Sequence, residues 1–399
     1  MDDKELFEQL RSGPLPRDGF DESLRRKIVA SLDHPRRSAK RPPFLRITAI
    51  GASFAVIAAV VVALWGWNDF DRNKAEELSL PTSQASDSGG ATEDAFGDPK
   101  PHSAVVIGLR KDDAQGLRSS YRTVVVAAEN ERLKLIGSGD GIWMPYGQNF
   151  WKIETVEDSL GKGGQMLVAN KVGKSEKELV EDRPPAPERK TEKLLYAGDR
   201  YVSILETTNV DIKGETVEES RVVVNALPTL MPSNRVSNPD ALEAENVALN
   251  EALMSEAENA KIDRWTVTRE NFAWVAKKAN DDHGLFDTDD IRSWPTVDVR
   301  LEGTPVAKDE PLAIDMSEVR KLEPEAVDAF TSQDEDVALI LSEDRMTLVP
   351  YRLPESERVP LTVELEAGET VVMVHWAIQE QYVKNWRNWF GEWFAASPR

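Results

Sequence analysis

From Ile47 to Trp67 the chain runs 21 residues, ITAIGASFAVIAAVVVALWGW, without a single charge. As an α-helix this run rises roughly 31 Å, close to the hydrocarbon thickness of a bilayer, so it predicts a transmembrane helix over 47–67. A buried core helix is the competing reading, but such helices seldom stay uncharged for so long. The flanks favour the membrane: RRSAKRPPFLR carries Arg36, Arg37, Lys40, Arg41 and Arg46 before the run, and Asp69 and Asp71 follow it. Basic residues stay on the cytoplasmic side, which puts the N-terminus in the cytoplasm and the C-terminal domain outside. Trp65 and Trp67 then fall at the outer headgroup layer, where indole rings are favoured. A cleaved export signal fits less well, because its apolar region is usually about 7–15 residues and LWGWNDF offers no small-x-small cleavage site. The reading is an uncleaved signal anchor in the cell membrane.

The anchor partitions the charge. The whole chain carries 49 Lys+Arg against 70 Asp+Glu, a formal −21. Residues 1–46 hold 11 basic and 8 acidic residues, a net +3, which leaves −24 for everything beyond the anchor. An exported part of that sign repels phosphate backbones, so nucleic-acid binding is excluded as the main activity. Cysteine is absent, which removes disulfide scaffolds, thiolate metal sites and cysteine nucleophiles together.

The cytoplasmic segment 1–46 predicts two short helices. Asp2–Leu10 places Leu6, Phe7 and Leu10 on one side, and Gly13-Pro14-Leu15-Pro16 breaks the chain after it. From about Asp21 to Leu32, Phe20, Leu24, Ile28, Val29 and Leu32 form one apolar stripe. So short a segment buries little core alone, so the stripe either meets a partner or the membrane surface, or belongs to a weakly helical tail. Phe20, Leu24, Ile28 and Leu32 are the candidate partner-binding residues.

Residues 68–103 read as a disordered linker, rich in Ser, Gly, Asp, Pro and Thr; a flexible coil of this length reaches on the order of 33 Å. The exported remainder, 104–399, reads as α+β and mainly antiparallel β. AVVIGL, YRTVVVAAE, RLKLIGS, GIWMPYG and NFWKIETV follow one another at short intervals, and KLLYAG, RYVSILETT and SRVVVNAL form a second group. The segment 239–262 predicts one long helix, with Asn238 as N-cap, Pro239 at the first position and Leu242, Leu249 and Leu253 on a narrow stripe. It packs on a sheet or joins two halves, 104–235 and 262–399. TVDVRL, DVALILS, RMTLVPYRL, PLTVEL and TVVMVHWA return to strands. The C-terminus predicts an amphipathic helix with Tyr382, Trp386, Trp389, Phe390, Trp393 and Phe394 on one face, which docks on its own domain or lies in a membrane interface; docking is preferred.

Chemistry is sparse. His283 lies among Asp281, Asp282, Asp287, Asp289 and Asp290, which invites a Ca²⁺ or Mg²⁺ reading, but the EF-hand spacing fails and a solvated turn is preferred. His375 follows a valine run and reads as a satisfied sheet histidine. No GxSxG, HExxH or Walker motif is present, and no cofactor, metal or catalytic residue is assigned. Trp143, Tyr146, Phe150 and Trp151 crowd one hairpin; Trp143, Tyr146 and Trp151 are candidate ligand-binding residues if rings point outward, with core packing the preferred alternative.

The short amphipathic cytoplasmic segment, the basic stop RRSAKRPPFLR, the single span and the tethered exported domain together resemble a bacterial membrane-bound anti-sigma factor. The resemblance is one of layout over residues 1–67, and the histidine–cysteine zinc motif of many such proteins is missing here. It implies a cytoplasmic part that sequesters a sigma factor and an outer part that senses envelope conditions. GIWMPYGQNFWKIE and KLLYAGDRYVSILE are also similar to stretches of exported proteins of Gram-positive bacteria, a similarity that brings no activity with it. The expected function is a non-enzymatic, single-pass signal transducer with an extracytoplasmic sensor domain. The alternative is an anchored envelope-binding or assembly protein whose tail only sets topology, and an envelope hydrolase stands third. Expected partners are the lipid bilayer, a cytoplasmic regulator such as a sigma factor, and an envelope ligand or exported protein.

Overall fold

Strand β1, Ala104–Asp112, divides the two largest apolar cores among the described residues. Its first seven residues are all buried, and they divide by the two-residue period of a strand. Ala104 and Val106 enter one apolar cluster, while Val105, Ile107 and Leu109 enter another. The uninterrupted apolar run thus reflects a strand covered on both faces. The computed structural model describes residues 99–396 apart from 117, 158–163, 174–188, 213, 238–244, 258–259, 281–283 and 309–311. The predicted cytoplasmic helices, the span 47–67, nearly all of the linker, and His283 lie outside the described residues.

β1 is central in a four-stranded antiparallel sheet, flanked by β2 (Ser119–Glu129), which pairs in turn with β3 (Arg132–Asp140), and by β16 (Glu369–Ala377). Ala104 pairs with Ala377, so strands from residues 104–235 and 262–399 share this sheet. One face packs on a six-stranded sheet of β4 (Ile142–Tyr146), β5 (Asn149–Glu157), β6 (Gln165–Lys171), β7 (Arg189–Ala197), β8 (Tyr201–Ile212) and β9 (Glu215–Ala226). The other face meets the hairpin β10 (Trp265–Glu270) and β11 (Ala273–Lys278), and the sheet β12 (Asp328–Thr331), β13 (Ala338–Leu341), β14 (Arg345–Val349) and β15 (Leu361–Glu364).

Among the described strands, pairing is antiparallel except between β6 and β7, which share one parallel pair, Gln165 with Thr191. Beside it the Glu192 carboxylate, fully buried, accepts the Leu167 N–H and is paired with Arg235, so a side chain continues what the backbone ladder leaves off. At the start of β1, the buried Asp336 carboxylate accepts the backbone N–H groups of His102 and Ser103 and the hydroxyls of Ser103 and Ser332. His102 and Ser103, read from sequence as the end of the linker, are therefore tied to the β12–β13 turn.

The helices are few and mostly short: α1 (Pro232–Ser237), α2 (Leu249–Ala252), α3 (Thr288–Ser293), α4 (Met316–Leu322) and α5 (Glu380–Ala396). The expected long helix over 239–262 is corrected. Among the described residues of 245–262, α-helix is confined to the four residues of α2. Sheet contacts outcompete helix propensity there: the Val247 N–H donates to Val224 O, the Val224 N–H to Asn246 Oδ1, and the Leu249 N–H to Ile262 O. Leu249, from the predicted stripe, is buried in the second core as the first residue of the short α2. Among the described residues no helix is long and apolar enough to cross a membrane.

The amphipathic C-terminus does form a helix, α5, and docks. Phe390 is fully buried and Trp386 nearly so, in the core shared with Trp143 and Phe150. Gly139 and Gly137 on β3 make room for Phe394: a Cβ on Gly139 would lie 2.5 Å from the ring and one on Gly137 2.8 Å from it.

Candidate functional site

The aromatic hairpin β4–β5 supplies packing for α5. Trp143 is buried, its indole N–H donating to Asp140 O at 2.8 Å. Its ring stacks on Trp393 at 5.5 Å with an interplanar angle of 22°, meets Phe390 and Phe394 edge-on, and carries Lys152 Nζ 5.1 Å from its centroid. Tyr146 and Trp151 are half-buried against each other, edge to face at 5.8 Å, and also pack on this core. Phe20, Leu24, Ile28 and Leu32 lie outside the described residues.

The acidic cluster near His283 is explained in part by helix capping. The Asp287 carboxylate accepts the N–H groups of Asp289 and Asp290, and Asp290 returns the bond to the Asp287 N–H, a reciprocal cap for α3. His375 lies in β16 at 7% exposure, and its Nε2 finds no hydrogen-bond partner among the described residues, where sequence predicted a satisfied ring.

A feature with the dimensions of a binding site lies elsewhere in the described residues. A cavity of about 580 Å³ opens where the β1–β16 edge, the β10–β11 hairpin, α3 and the β12–β15 sheet converge. This volume is in the range of small-molecule sites, roughly 300–1,000 Å³. Apolar side chains supply much of the lining, among them Val267, Leu341, Leu365 and Val371.

Most lining charges are already matched. Arg269 donates through Nε to Asp328 Oδ2 at 2.8 Å and through Nη2 to Ala329 O at 2.7 Å, and its guanidinium lies 3.8 Å from the Phe330 centroid and 5.3 Å from that of Trp274. Glu369 is gripped by Arg122 in a two-pronged pair, 2.6 Å on each oxygen, and the bonded carboxylate raises the Arg122 pKa. Glu270 accepts from Thr296 and pairs with Lys277; the Lys277 bond is the main reason its pKa is lowered.

Arg110 differs. Its side chain is 7% exposed, with Nη1 donating to Leu194 O at 2.8 Å and Nε 3.1 Å from Asp112 Oδ1. Asp112 is shared: Lys193, 9% exposed, reaches Oδ2 at 3.0 Å, and Ser119 donates to Oδ1 at 2.6 Å. Two buried cations therefore hold one carboxylate between them. Neighbouring groups fix this corner. Gln165 exchanges two amide bonds with the Ser119 backbone, and Tyr121, whose phenol burial pushes up to about 12, accepts the Leu194 N–H. Sequence reasoning passed over Arg110, Asp112 and Lys193; the available signal was a charged run, Arg110–Asp112, continuing an apolar strand without a turn residue between.

No protein-family model, curated protein or solved structure matches the chain.

Proposed function

We propose that this protein is a non-enzymatic, single-pass membrane protein whose extracytoplasmic β-rich domain binds a small molecule in the cavity at the β1–β16 edge. The binding state is passed through the span at 47–67 to residues 1–46, which engage a cytoplasmic regulator of the sigma-factor kind. The observation that carries this reading is the cavity of about 580 Å³ itself, built at a junction of four structural units and lined by apolar and polar side chains in about equal measure. Its geometry suits recognition: the lining carboxylates Glu369, Asp328 and Glu270 are each held by a basic side chain. The charge partition adds support, with an acidic exported part and a basic cytoplasmic one.

The test has two linked arms on the full chain in its own cells. Protease added outside should digest the domain beyond residue 103 and spare residues 1–46; the reverse pattern, or a chain that does not sediment with membranes, removes the reading. The regulator should co-purify with the intact chain and be lost in Leu24→Asp. If Leu24→Asp or deletion of residues 2–32 leaves function intact, the tail only sets topology and the protein is an anchored envelope-binding module.

A further inference from the structure

The geometry points to a ligand class for this cavity: a small organic carboxylate with an apolar body, its acid group taken by Arg110. The inference rests on the reading of the cavity as a binding site and deepens it.

Three observations carry it. First, the corner at Arg110 holds a surplus of positive charge, since Arg110 and Lys193, both more than nine-tenths buried, share the single carboxylate of Asp112. A buried cation without its own counter-ion is costly, and an incoming anion offsets that cost. Second, Arg110 lines the cavity and retains donor capacity. Nη1 is engaged by Leu194 O, whereas Nε, 3.1 Å from Asp112 Oδ1, makes no hydrogen bond among the described residues. Guanidinium suits a carboxylate by its planar fork of donors. Third, the lining does not favour a cation instead. The carboxylates of Asp328, Glu369 and Glu270 are each occupied by a basic side chain, and Glu343 lies exposed. Beyond the charged corner, Val267, Leu341, Leu365 and Val371 offer an apolar surface for the rest of the molecule.

Isothermal titration calorimetry on the purified full chain with three probes of one shape tests this: 4-phenylbutyrate, 4-phenylbutanamide and 4-phenylbutylamine. The carboxylate should bind about 10-fold or more tighter than the amide, the gain of one charge-assisted bond, and the amine weakest. In Arg110→Gln, which leaves Lys193 and Asp112 as a matched pair, the carboxylate's advantage should shrink to about 1-fold while amide binding stays within about 3-fold. Leu365→Trp narrows the cavity without touching the charged corner and should weaken carboxylate and amide alike, so the location is tested even if Arg110→Gln does not fold. Equal affinity for carboxylate and amide overturns the ligand class and leaves the cavity as a binding site. Preference for the amine, or retention of the carboxylate's advantage in a folded Arg110→Gln, also overturns it. If no probe binds, the proposal falls, whereas the reading of the chain as a membrane-anchored transducer is decided separately by the protease and Leu24→Asp arms.

Discussion

Two histidines in this domain are tuned in opposite directions, and the sign of each shift follows from its surroundings. His375 is buried with an unpartnered Nε2; burial lowers its pKa, with Asp199 pulling weakly the other way and Lys308 adding to the fall. Since the unfolded ring titrates near 6.5, stability tied to its neutral form is complete above that value and is lost as pH falls below it. At His102 burial also opposes the charge, but the Lys100 carbonyl and the carboxylates of Asp336 and Asp334 outweigh it and raise the pKa. Its contribution is complete below about 6.5 and disappears as pH rises through the raised value. Urea unfolding at pH 5.5 and 7.5 separates the two. His375→Leu should lose less stability on acidification than the wild type and, by removing an unsatisfied buried nitrogen, be neutral or more stable by about 1 kcal/mol at pH 7.5. His102→Asn should be destabilised chiefly at pH 5.5. An unchanged acid limb in His375→Leu would show that the ring does not titrate with folding. The residue scale is also where sequence says least. Arg110 and Lys193 follow strand patterns in which a charge is ordinarily taken for a solvent-facing end, and only the register of β1 against β16 and the approach of β7 bury them.

An element is legible in the sequence when a single periodicity accounts for it. β1 and β2 are legible because their apolar runs, 104–109 and 124–128, are buried on both faces, and α5 because its aromatic residues keep helical spacing from Tyr382 to Phe394. The segment 239–262 reads as a helix from sequence because its Ala, Glu and Leu content expresses helix propensity alone. What decides the chain there is where Asn246 and the Val247 and Leu249 amides find partners, and those lie on β9 and at Ile262. For α5, docking depends on the absence of side chains on β3 as much as on its own aromatic face. Gly139→Val places methyl groups where the Phe394 ring lies and should destabilise the domain by about 1–3 kcal/mol through overpacking. Phe390→Ala, at a fully buried position, should cost about 3–5 kcal/mol. Both are checked by chemical denaturation, with loss of the near-ultraviolet dichroism of stacked Trp143 and Trp393 as the local readout. A Gly139→Val domain as stable as wild type would mean that α5 does not rest on β3 as described.

At the scale of the whole molecule, the binding of β1 to β16 joins the first strand of the domain to the last, and both cores depend on that joint. β16 contributes Val372 and Met373 to the core beneath the six-stranded sheet and Val374 to the core beneath the β12–β15 sheet. It also forms one wall of the cavity through Glu369 and Val371. No local pattern in the sequence announces this, because a pairing between residues 104 and 377 is set by the assembled layers and not by any turn between its strands. The arrangement separates two truncations that differ by little in length. A chain ending at residue 378 lacks α5 only; it should keep its four sheets and unfold cooperatively, with lower stability and Trp143 exposed to quenchers. A chain ending at residue 368 lacks β16 as well. Val105, Val106 and Ile107 would then sit on an unprotected edge with both cores opened, and that chain should be unfolded or aggregated when produced. Far-ultraviolet dichroism and a urea titration of the two truncated chains distinguish these outcomes. If the shorter chain folds cooperatively with native sheet content, then β16 is an accessory strand, and the cavity wall it forms is free to move without unfolding the domain.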